Sequence, residues 1–130
     1  MVLVASLPAA ACPAHGQALR EIGRTAAGNP VLVESRTVRR DSTLLHATIR
    51  VRFARPVRTG DGNWWSSRTR LIFNCTARQV KVLENWYYGD TTWRRVVSHN
   101  VTGIPAFGVV LGGSMTSVGY DTLCPVKPAK

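Results

Sequence analysis

The chain has 130 residues, 45% of them hydrophobic, enough for one domain around one core and too few for two. Seventeen Lys and Arg against seven Asp and Glu leave a formal charge of +10, nearly all of it arginine, because Lys81, Lys127 and Lys130 are the only lysines. A field of that sign draws nucleic acid, acidic glycan and anionic head groups without choosing among them, and arginine richness also follows from genomic base composition.

The first 18 residues, "MVLVASLPAAACPAHGQA", hold no Lys, Arg, Asp or Glu. Their apolar run, Val2 to Ala11, is too short to span a bilayer as a helix, and no other run comes closer. Three readings stand. The segment is a buried or frayed N-terminus. Or it is part of a signal peptide whose start lies upstream of Met1, with small residues Gly16 and Ala18 before a cut ahead of Leu19. Or "PAAAC" marks Cys12 for lipid anchoring, although Ala9 stands where a larger aliphatic residue is usual. If the cut precedes Leu19, Cys75 and Cys124 are the two cysteines left, in an oxidising compartment where they would pair. The domain proper is then 19–130.

Leu19 to Thr25 and "NPVLVE" (Asn29–Glu34) suggest a hairpin closed by "AAGNP". "LLHATIRVRF" is the cleanest strand, with Leu45, Ala47, Ile49, Val51 and Phe53 on one side and His46, Thr48, Arg50 and Arg52 on the other. "ARPVRTGDGNWWSS" (Ala54–Ser67) reads as a long loop, because Pro56, Gly60 and Gly62 surround Asp61. Strands are expected at Thr69–Cys75, Arg78–Trp86 and, after "YYGD", Thr91–Val97, which makes about six antiparallel strands. In Thr69–Cys75 the period of two puts Cys75 on the side of Leu71 and Phe73, toward the core. Near the end, Ser114 is an expected N-cap. Met115, Val118, Gly119, Thr122 and Leu123 follow at helical spacing, and Pro125 stops the helix. A helix of about ten residues is marginal alone in water. A Cys75–Cys124 bond would hold it down.

Three stretches in this order, "LREIGRTAAGNPVLVESRTVRR", "SSRTRLIFNCTARQVKVLENWYY" and "GGSMTSVGYDTLC", resemble the surface-adhesin E-like domains of proteobacteria, including the interval from Ser114 to Cys124. The resemblance runs from about Leu19 to Cys124. It implies an α+β fold: a single curved antiparallel sheet with one C-terminal helix tethered across it by the Cys75–Cys124 disulfide. It also implies an exported module of the periplasm or cell surface. The segment "VSHNVTGIPAFGVVLGG" departs from the pattern: it lacks a tryptophan ahead of the helix, for which Phe107 is a substitute.

No catalytic or metal-binding constellation stands out. His15, His46 and His99 lie far apart and far from the cysteines, the acids are scattered, and neither enzyme activity nor a cofactor is expected. The remaining signal is surface chemistry. Arg50 and Arg52, joined by Arg70 on a neighbouring strand, would form a cationic stripe. Trp64 and Trp65, in the expected loop, supply a contact indole, while Trp86 and Trp93 are expected in the core. The reading is a non-catalytic envelope binding module for a protein or an anionic glycan. The rivals are a basic nucleic-acid-binding domain of the cytoplasm and a structural subunit of an envelope assembly.

Overall fold

The computed structural model describes residues 18–125, so most of the expected signal segment, with Cys12 and His15, lies outside the described residues. Within them run β1 (Leu19–Arg24), β2 (Pro30–Glu34), a single 3-10 turn (Ser35–Thr37), β3 (Arg39–Asp41), β4 (Leu44–Thr59), β5 (Gly62–Asn74), β6 (Gln79–Tyr88), β7 (Val96–Val101), β8 (Gly108–Val109) and α1 (Met115–Leu123). All the strand pairings are antiparallel, and the sheet order is β1-β2-β4-β5-β6-β7, with β3 also on β4 and β8 also on β6. The fold is therefore the expected α+β sheet with one C-terminal helix, built from eight strands among the described residues rather than about six.

The alternation expected in β4 places Leu45, Ala47, Ile49 and Val51 in the core. Opposite them on β5 lie Phe73, Leu71, Thr69 and Ser67, and from β2 come Val31 and Val33. α1 covers this face. Ser114 caps it by accepting a hydrogen bond from the Ser117 N–H, as expected. The buried helical residues are Ser117, Gly119, Tyr120 and Leu123, with Met115 and Val118 packed beside the core. Tyr120, absent from the expected face, turns its ring edge to Phe73 and donates its hydroxyl hydrogen to the Cys75 carbonyl at 2.7 Å.

The Cys75–Cys124 disulfide joins the turn after β5 to the residue after α1 across a Cα separation of 5.4 Å. Gly119 explains how closely the helix sits on the sheet: a Cβ there would lie 2.6 Å from Ile49 Cδ1 and 2.8 Å from Phe73 Cζ. Arg40 reaches the Leu123 carbonyl at 3.4 Å, placing a cation at the helix C-terminus where the dipole favours it.

Two expectations are corrected. The long loop at Ala54–Ser67 is a hairpin, in which β4 and β5 stay paired up to Thr59↔Gly62, past a register shift between Arg52 and Val57. The glycines mark only the tight turn, and Pro56 sits within this irregular stretch. The strand expected at Thr91–Val97 is mostly a loop. Asp90 draws the chain into a turn there, its carboxylate accepting from Thr92 Oγ1 and from the Arg94 and Arg95 backbone N–H groups. β7 begins only at Val96.

Candidate functional site

The face of the sheet opposite α1 is polar, and its centre is one row of cross-strand neighbours: Arg50 on β4, Arg68 on β5, Trp86 on β6 and His99 on β7. Glu34, at the end of β2, enters this row from the side with its side chain fully buried. Its Oε2 accepts from Arg50 Nε at 2.7 Å and Arg68 Nε at 2.6 Å, and its Oε1 accepts from Arg68 Nη2 at 3.2 Å. Burial pushes the Glu34 carboxyl up, but the hydrogen bonds and charges of Arg68 and Arg50 outweigh it and hold the group below its ordinary 4.5. Glu34 is therefore a carboxylate that fixes two guanidinium groups side by side.

The aromatics are woven into this network. The Arg68 guanidinium lies 4.6 Å from the Trp86 ring centroid, and Trp86 stacks on His99 at 4.9 Å. Trp93, from the Asp90 loop, lies near both Arg50 (5.2 Å) and Arg52 (5.3 Å) and donates its indole hydrogen to the Ser67 carbonyl. Trp86 and Trp93 are thus half-buried among the polar-face arginines rather than in the core. Arg68 is a cross-strand neighbour of Trp86, Arg50 and Arg52 lie against Trp93, and a flat ring face covers a guanidinium well.

Trp64 and Trp65 lie within β5 and are both half-buried, not displayed on a loop. Trp64 stacks on Tyr87 at 3.8 Å, and its indole N–H is buried with no acceptor among the described residues. Arg50, Arg52 and Arg70 do share the polar face, but Arg50's cross-strand neighbour is Arg68, and Arg70 stands opposite Thr48 two pairs further along. Arg52 and Arg70 are exposed, whereas Arg50 is held by Glu34. Arg70 meets Glu84 at 3.2 Å, and Glu84 also meets His99 Nε2 at 2.6 Å. That hydrogen bond with His99, reinforced by Arg70 against some desolvation, keeps the Glu84 carboxyl below its ordinary value.

A hollow of about 340 Å³ opens beside this row, in the gap that the 3-10 turn leaves between β2 and β3. Both strands pair with the same edge of β4, and Thr48 falls between them. Its backbone N–H is satisfied by Thr37 Oγ1 at 2.9 Å. Arg36, Arg39, Arg68 and Arg70 line the hollow together with His46 and Thr48, and no carboxylate does. Reading the sequence by strand alternation did not find Glu34, Arg68, Arg36 or Arg39. The signal available was a single acid, Glu34, two positions after Leu32 on a strand bordering an arginine-bearing one. Among the described residues no three His, Cys, Asp or Glu side chains form a metal-holding group.

A family model described as surface-adhesin protein E matches residues 19–101. The chain belongs to that family. No curated protein sequence matches it. Solved structures of Haemophilus influenzae protein E share the fold of this adhesin E member. Crystal form II aligns with a TM-score of 0.56 at 11% identity, over 78% of this chain and 84% of that one. A second structure of the same protein aligns with a TM-score of 0.55 at 10% identity, over 82% and 83%. The structure from a non-typeable strain gives a TM-score of 0.50 at 11% identity, over 81% and 71%. At such identities the likeness is one of backbone path, and the side chains of the arginine face have to be judged on their own chemistry.

Proposed function

We propose that this adhesin E domain is an exported, non-catalytic binding module of the cell envelope that holds an anionic partner on the arginine face of its sheet. Family membership supports the adhesin role, and the Cys75–Cys124 disulfide suits an oxidising compartment outside the cytoplasm. The observation that carries the choice of face is the distribution of charge. Glu34 and Glu84 are already engaged, while Arg36, Arg39 and Arg52 make no ion pair with a described residue and are exposed. Arg70 belongs to the same contact surface, and Arg50 supports it from the Glu34 clamp, whereas Trp64 packs on Tyr87, the cross-strand neighbour of Ser67 on the other face. Nucleic acid fits this face less well. Single-stranded binders offer free aromatic faces for base stacking, whereas Trp86 and Trp93 already lie against His99 and arginines.

Retention on immobilised heparin, followed across a salt series, tests the reading. Binding should weaken steeply with salt and fall further in Arg52→Glu/Arg70→Glu than in Arg20→Glu/Arg24→Glu on the edge strand β1. Equal loss from both pairs would mean that net charge alone is being read, and the face assignment would fall.

A further inference from the structure

We infer that the hollow beside the 3-10 turn is a subsite for a sugar-sized ligand bearing a phosphate or sulfate ester, an inference that rests on the adhesin reading and names the chemistry the arginine face would select. Its volume, about 340 Å³, lies within the range of small-molecule sites and exceeds what a bare tetrahedral ion fills. Its wall is arranged for an oxyanion. Arg68 and Arg70, two positions apart on one face of β5, are each anchored through Nε and Nη2 to a carboxylate, Glu34 and Glu84 respectively. The Nη1 group of each makes no hydrogen bond to a described residue. Anchored guanidiniums lose little freedom when a ligand arrives, so their remaining donors are preorganised.

Across the hollow, Arg36 in the 3-10 turn and Arg39 on β3 are exposed, without an ion pair among the described residues, and free to close on a charge entering between the two pairs. Thr48 lines the hollow with a hydroxyl that has no partner among the described residues, and His46 lines it as well. These two suit the hydroxyls of a sugar better than they suit an alkyl chain. Four guanidiniums from two sides also exceed what a carboxylate can use. One Arg fork satisfies its two oxygens, whereas a phosphate or sulfate ester presents three terminal oxygens in different directions.

The test is calorimetric titration of the full chain with glucose 6-phosphate and glucosamine 6-sulfate, with glucose and inorganic phosphate as references. At least one ester should bind, more tightly than inorganic phosphate, and glucose should not. Arg36→Ala/Arg39→Ala, which removes exposed side chains only, should weaken the ester about tenfold or more, while Arg20→Ala/Arg24→Ala should leave it unchanged. Chemical shifts of the Thr48 and Arg70 amides should move on titration. The inference is overturned if neither ester binds, if inorganic phosphate binds as tightly as both, or if the double variant binds as the parent does. Heparin retention that persists without ester binding removes this subsite and keeps the adhesin reading. Ester binding with no heparin retention supports the subsite and removes that reading.

Discussion

Breaking the Cys75–Cys124 bond should lower the stability of the whole domain and release α1 first. The bond spans a sequence separation of 49 residues. In the chain-entropy model, closing such a loop restricts the unfolded chain by about 4 kcal/mol. In a domain of about 100 residues each kcal/mol moves Tm by roughly 4 °C, so complete loss corresponds to about 15 °C. The helix does not come away freely in the folded state, because Tyr120 and Leu123 are buried, at about 1.5–3 kcal/mol for each large apolar side chain, and Tyr120 also bonds the Cys75 carbonyl. In Cys75→Ser/Cys124→Ser the helix should therefore remain docked at 25 °C but open more often than the sheet. Thermal unfolding followed by circular dichroism should show the drop in Tm. Amide exchange should quicken between Ser114 and Leu123 while Leu45 to Val51 stays protected. Reduction and alkylation of the parent should give the same result. A reduced protein that melts within about 3 °C of the oxidised one, with unchanged protection in α1, refutes the loop-entropy reasoning.

Glu34→Gln should cost about 3–5 kcal/mol in urea unfolding, because it leaves Arg50 and Arg68 adjacent without their buried counter-charge. Replacing all three as Glu34→Leu/Arg50→Leu/Arg68→Met should cost less than that single change, since no unpaired charge remains. Because the folded Glu34 carboxyl titrates below its ordinary 4.5, its contribution is present above that pH and is lost as pH falls through the folded value. Parent and Glu34→Gln stabilities should therefore converge in acid, which unfolding curves taken between neutral pH and the acid end will show. Gly119→Ala should destabilise by about 1–3 kcal/mol despite alanine's better helix propensity, because the new methyl meets Ile49 and Phe73 inside contact distance; urea midpoints measure it. Trp64→Phe should cost under about 1.5 kcal/mol in the same assay, since it keeps the stack on Tyr87 and removes a buried N–H without an acceptor among the described residues.

The sequence by itself determined the parts of this protein that depend on local periodicity and on short-range capping. The alternation from Leu45 to Val51, the β1–β2 hairpin, the Ser114 cap and the position of α1 were all legible, because a two-residue or 3.6-residue period and a cap are written in contiguous residues. The same local rules failed where chain signals conflict with pairing. Pro56, Gly60 and Gly62 looked like a long loop, but cross-strand pairing carries β4 and β5 to a turn only two residues long. Asp90 ends what looked like a strand by binding the next backbone N–H groups itself.

Only the tertiary structure decided the candidate site. Arg50 and Arg68 are 18 positions apart, and Glu34 is further from Arg68 still; register between three strands is what makes them one cluster. Register likewise set Trp86 among arginines instead of in the core, and the Asp90 loop carries Trp93 to Arg50 and Arg52. The hollow exists because β2 and β3 share one edge of β4 and the turn between them stands off it, which puts Arg36 and Arg39 across from Arg68 and Arg70. A one-residue shift in any of those pairings would turn these side chains to the opposite face. Period and capping can be read along a chain, but the chemistry of this face belongs to contacts between segments, which no single segment specifies.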